Sequence, residues 1–146
     1  MGIAGRLLGI ALLAGPAGAG TLAVEAGDRV LARASLPEGA EWCLTWNHSV
    51  TGGDVADCFG NAGGAMVLRR SYLHDFAAGL GEVPGRGTIR PAARGGYWIE
   101  GIDERVEPLV LRVGRPETDH RIRVADRIIP LSRIAPGARV TIRITP

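Results

Sequence analysis

Polar and apolar positions along this chain alternate in short runs and rarely recur every three or four residues. The clearest run is EWCLTWNHSV, which places Trp42, Leu44, Trp46 and His48 on one side and Cys43, Thr45, Asn47 and Ser49 on the other. A period of two predicts a half-buried β-strand. ARVTIRIT repeats the pattern at the end of the chain, with Val140, Ile142 and Ile144 set between Arg139, Thr141, Arg143 and Thr145. RVLARAS alternates weakly before the turn-like LPEGAE. DVADCF, GAMVLRRSYLHDF, GGYWIEG, PLVLRVG, TDHRIRV and RIIPLSRI read as further strands, and AAGLGEVPGRG reads as a glycine-rich loop. Short strands at close spacing, with no fixed-period repeat and no linker, predict an all-β chain. Its architecture is expected to be a single-domain β-sandwich or partly open β-barrel of short antiparallel strands.

Composition supports that class, because 22 glycines and nine prolines among 146 residues favour turns over long helices. The first twenty residues stand apart. Arg6 precedes an apolar stretch from Leu7 to Leu13, and Ala17-Gly18-Ala19 has the small-x-small spacing that signal peptidase accepts. A secretory signal over residues 1–20 is expected, cut near Gly20, with one domain over 21–146 working in a bacterial periplasm. The apolar run is shorter than the roughly 20 residues of a spanning helix, and Pro16 interrupts it. Membrane contact is therefore expected only through a partner or an uncleaved signal.

Every basic residue is arginine, and the charge is unevenly spread. Residues 21–111 carry eight arginines against twelve acids, whereas residues 112–146 carry eight against three. The basic tail suits an anionic ligand, a lipid headgroup or an acidic partner; it also fits a solvated strand face.

The stretch WNHSVTGGD raises the question of chemistry. His48, Ser49 and Asp54 are the residue types of a nucleophilic triad, yet neighbouring strand residues point to opposite faces, so His48 cannot easily activate Ser49. Ser71 or Ser132 would have to approach instead, and no G-x-S-x-G elbow occurs. No enzyme activity and no cofactor are expected. A metal site would draw on His48, His74 and His120 with nearby acids, but their spacing matches no ligand motif. The alternative for His48 is an imidazole that bonds the turn backbone or a nearby carboxylate and stiffens a hairpin. Successive glycines in AAGLGEVPGRG could cradle an anion, although no strand-to-helix context supports a phosphate loop. Few and scattered aromatics exclude a stacking platform for nucleic acid.

Cys43 and Cys58 invite a disulfide in an oxidising compartment. A hairpin turning at Gly52-Gly53 would place Cys58 opposite Asn47 and leave Cys43 roughly 13 Å along the strand. A turn centred on Val50-Thr51 would bring the two together. The sequence leaves both registers open.

Three stretches carry a resemblance. LTWNHSV is similar to a Y-x-H-S-V strand end, with Trp46 in place of the tyrosine; DFAAGLGE is similar to an S-F-G-A-G-L-P loop, matched at Phe76, Ala78, Gly79 and Leu80. DHRIRV with PLSRIAPG is similar to H-x-L followed by L-S-x-L-x-P-G, matched at His120, Leu131, Ser132, Pro136 and Gly137. Together they resemble the family catalogued as domain of unknown function 1850, small exported bacterial proteins often encoded beside TAXI-type tripartite ATP-independent periplasmic (TRAP) transporters. Thr51 and Ala56 stand where that family commonly has glutamates, and Asp57 is retained. The resemblance implies a non-enzymatic accessory or binding module whose partner is a TAXI-type solute receptor or a TRAP permease. Its contact surface would comprise His48, Ser49, Asp57, Phe76, Gly79, Leu80 and His120. The alternative is a small-ligand or metal-binding β domain using His48, His74 and His120.

Overall fold

The computed structural model describes residues 19–75 and 85–146. Eleven strands occur among them: β1 (Ala19–Ala26), β2 (Arg29–Pro37), β3 (Glu41–Asn47), β4 (Asp54–Ala62), β5 (Ala65–Leu73), β6 (Thr88–Pro91), β7 (Tyr97–Arg105), β8 (Leu109–Arg112), β9 (Arg121–Val124), β10 (Arg127–Ile129) and β11 (Arg139–Thr145). They form a four-stranded sheet ordered β2-β1-β11-β8 and a seven-stranded sheet ordered β10-β9-β3-β4-β5-β7-β6. Every pairing is antiparallel. The expected all-β class holds, as two sheets around one core and not as a closed barrel.

Alternation decides which side of each strand is buried. In β11, Val140, Ile142 and Ile144 face the core while Arg139 and Arg143 are exposed, as the sequence predicts. Leu22, Val24 and Leu36 from the small sheet meet Trp42, Phe59, Met66 and Ile122 from the large one. Trp42 and Phe59 are cross-strand partners whose rings stack at 4.8 Å, a geometry that contributes about 0.5–1.5 kcal/mol beyond the area it buries.

Glycines make the tightest turns. Gly63 and Gly64 form the two-residue connection from β4 to β5, both at positive φ, which lets a hairpin turn follow the strand twist without a Cβ clash. Asn61 braces that corner: its amide nitrogen donates to Leu36 O at 2.7 Å and its Oδ1 accepts from Gly64 N–H at 2.8 Å.

One expectation needs correction. RIIPLSRI is not one strand, because Pro130 ends β10 and the next four residues form a short helix, α1 (Leu131–Ile134). β1 begins at Ala19, with Gly20 paired to Leu36. Residues 1–18 of the expected signal segment lie outside the described residues. Among the described residues no helix is long and apolar enough to cross a membrane.

The edges of the sheets are short or interrupted. β6, β8 and β10 have four, four and three residues. The one long edge, β2, carries Arg29, Arg33 and Pro37, and the Arg33 carbonyl accepts a hydrogen bond from Arg127 at 2.9 Å.

Candidate functional site

The H-S-V stretch leaves β3 at one end of the large sheet. Asn47 and Asp54 are the last paired residues, so the connection spans residues 48–53 and is centred on Val50-Thr51. Of the two registers that the sequence leaves open, the structure takes the one centred on Val50-Thr51, and Cys43 faces Cys58 directly. They form a disulfide with Cα atoms 4.0 Å apart. The physical reason is the imidazole: His48 Nδ1 accepts the N–H groups of Val50 and Thr51, each at 3.3 Å, and so satisfies amides that the wider turn leaves unpaired. His48 N–H also donates to Gly53 O at 2.8 Å, and Gly52 N–H donates to His48 O at 2.9 Å. This braced turn holds Ser49 and Val50 outward, with Val50 85% exposed.

The stretch around His120 lies at the same end. Asn47 donates from its backbone to Thr118 O at 2.7 Å and from its side chain to Glu117 O at 3.1 Å, tying the turn to the segment before β9. His120 in that segment is half-buried, its ring 5.9 Å from Trp46 and its Nδ1 accepting from Gly114 N–H at 2.8 Å. Burial lowers its pKa, opposed by the nearby Asp119 carboxylate. The His120 backbone N–H donates to Ser132 Oγ at 2.9 Å, and Ser132 N–H donates to His120 O at 3.1 Å, which fastens α1 to the rim. His74 packs beneath the turn, where a Cβ on Gly53 would lie 2.9 Å from its own.

These placements separate residues that the sequence grouped. His48 and Ser49 sit on the turn and His120 beneath it. Phe76, Gly79 and Leu80 lie outside the described residues. Asp57 does not share the surface of His48 and Ser49, since it has the parity of Val55 and Phe59 and faces inward from β4. The metal candidates do not converge either. Among the described residues the ligand atoms that cluster belong to Glu41, Cys43 and Cys58, and both cysteines are in the disulfide. Among the described residues no serine hydroxyl is hydrogen-bonded to a histidine ring: Ser71 donates to Asp57, and Ser132 bonds the His120 backbone.

Asp57 defines a second feature that sequence pattern did not expose. One inward row across the sheet reads Ile122, Leu44, Asp57, Ser71, Ile99 and Ile89, so a carboxylate and a hydroxyl interrupt an apolar series. Ser71 Oγ donates to Asp57 Oδ1 at 2.6 Å. Both line a recess of about 120 Å³ with Trp46, Val55, Leu73, Ile99 and Arg86. Burial raises the Asp57 pKa, while the Ser71 hydrogen bond and the Arg86 charge oppose the rise. Arg86 is held by Glu104 at 2.7 Å. Ser71 and Arg86 were missed because their approach to Asp57 depends on pairing between strands; the parity shared by Val55, Asp57 and Phe59 was the available clue.

Two antiparallel sheets with an imidazole-braced turn and an inward carboxylate define a small β module built around one rim. The chain belongs to the DUF1850 family, a domain of unknown function, whose family model matches residues 43–131. That span runs from the first disulfide cysteine to the start of α1 and includes the turn, the recess and His120. No curated protein and no solved structure matches the chain.

Proposed function

We propose that this protein is a non-enzymatic, periplasmic accessory module of a TAXI-type TRAP uptake system that docks on a solute receptor or permease through the rim around His48. The observation that carries this reading is the braced turn. An exposed valine on an ordinary loop has little consequence, but two hydrogen bonds to one imidazole fix the tip that presents Ser49 and Val50. A tip ordered before contact loses less conformational entropy on docking. In this reading His48 is a positioning residue and Val50 is the contact.

The test is affinity capture of the tagged protein from crosslinked native cells, with bound proteins identified by mass spectrometry. The expected result is recovery of a solute receptor or permease, and less of it with Val50→Ser at unchanged thermal stability. Recovery of neither, under conditions that capture a known receptor–permease contact, overturns the proposal.

The recess at Asp57 favours a second reading, a module that takes a small group between the Asp57–Ser71 pair and Arg86. The histidine-based metal version of that alternative has no such support, because the Nδ1 atoms of His48 and His120 are already occupied by backbone N–H groups.

A further inference from the structure

We infer that the outer face of the large sheet carries a binding groove for a small organic carboxylate, formed by Arg94, Arg121 and Arg123 around Tyr72. This site lies on the opposite side of β3, β4 and β5 from the Asp57 recess and does not depend on the reading of the rim. Its row across the sheet is Arg121, Thr45, Ala56 and Tyr72, one residue from each of β9, β3, β4 and β5. The two middle residues are small and the outer two are large. At about 4.8 Å per strand the walls stand roughly 14 Å apart at their Cα atoms, with a hollow between them. The hollow measures about 270 Å³, and Cys43 adds the disulfide to its lining.

The cations that border it differ in their commitments. Arg70, on the same face, is occupied by Glu41 at 2.5 Å and stacks on Trp98 at 4.5 Å. Arg123 has no partner among the described residues, and Arg94 has only the face of Tyr72, 5.5 Å from its ring centre. Arg121 is ion-paired, its Nε 3.3 Å from Asp119 Oδ2, at an angle that falls short of a hydrogen bond. A planar oxyanion is the group that a guanidinium fork meets with two parallel bonds. Asp54 is the acid in the groove's lining; with Asp119 it leaves three guanidiniums facing two carboxylates. Asp54 would turn a ligand's charged head towards Arg121 and Arg123. The volume and the apolar surface of Tyr72 and Ala56 leave room for a carbon body behind that head, more than a lone tetrahedral anion fills.

The test is titration of the isotope-labelled domain, followed by amide shifts, with phthalate, succinate and inorganic phosphate at matched ionic strength. Saturable shifts of Thr45 and Ala56 with phthalate or succinate are expected. Arg94→Gln and Arg123→Gln should each weaken binding about tenfold, because each removes a charge-assisted pair. Both side chains are exposed, so unchanged spectral dispersion will show that the variants fold. Arg139→Gln on β11 removes the same charge from the other sheet and should leave the affinity unchanged. Shifts that rise without saturating, equal weakening by Arg139→Gln, or saturation by phosphate at least as tight as by the carboxylates would each overturn the proposal.

Discussion

The two faces of β3, β4 and β5 handle polar side chains in opposite ways. On the inner face Asp57 is alone among apolar neighbours, and the fold supplies Ser71 and Arg86 to meet it. On the outer face three arginines converge, and two of them lack any acidic partner among the described residues. Water explains the difference. A group that water reaches can remain without a protein partner, whereas a group withdrawn from water must find one or shift its pKa. An inward carboxylate therefore reports on stability, and an outward cluster of free cations reports on what the surface can bind.

The largest effect should come from the bond that underlies the outer face. Replacing Cys43 and Cys58 with alanine opens a loop with a sequence separation of 15 residues. The expected loss is about 3 kcal/mol, from the greater freedom of the unfolded chain. Denaturant titration of the double variant beside the oxidised and reduced parent measures it. If the parent unfolds at the same midpoint with and without reductant, the disulfide contributes nothing to stability and this expectation fails.

A smaller effect should come from Asp57→Asn, which keeps an acceptor for Ser71 but removes the charge. The native pKa of Asp57 is raised above 3.8, so the folded state holds this proton more tightly than the unfolded chain does. Its stabilising share is complete below 3.8 and is lost as pH rises through the raised native value. Parent and variant should match most closely in acid, and the variant should gain on the parent with rising pH across that window. Melting curves from pH 3 to 8 check the sign; a variant that loses ground as pH rises would show that the charged carboxylate is the favoured form. His120 contributes in the other direction to both proteins, since its lowered pKa costs stability as pH falls below 6.5, and so it cancels in the comparison.

The smallest effect belongs where the faces meet. His48→Ala removes two long hydrogen bonds from an exposed turn and should cost about 0.5–1 kcal/mol, because water replaces the lost acceptor. Amide exchange at Val50 and Thr51 should accelerate while the β4–β5 pairing keeps its protection. Unchanged exchange at both amides would show that the imidazole does not brace the tip.

Much of this contrast was legible in the chain. The alternation of Trp42, Leu44 and Trp46, and that of Val140, Ile142 and Ile144, gave the buried faces directly. The turn could not be placed from the sequence, because Gly52 and Gly53 advertise backbone freedom, and Gly52 does adopt positive φ, yet the side chain of His48 fixes a longer connection. Moving the turn centre by two residues moves the opposing partner by four, which separates a bridged Cys43–Cys58 pair from an impossible one. The arginine groove was the least readable feature. Arg121 and Arg123 alternate with Ile122 and Val124 as any solvated strand would, and their approach to Arg94 depends on an order of strands that no local pattern carries.

The edges of the two sheets bear on how the protein behaves in company. A β-protein ends each sheet in a row of unpaired amides and carbonyls that a second copy could continue. Among the described residues, three of those rows are only three or four residues long, and the fourth presents arginines, a proline and a carbonyl already claimed by Arg127. The molecule thus gives a neighbouring strand little to extend, and crowding should concentrate it without seeding a fibre.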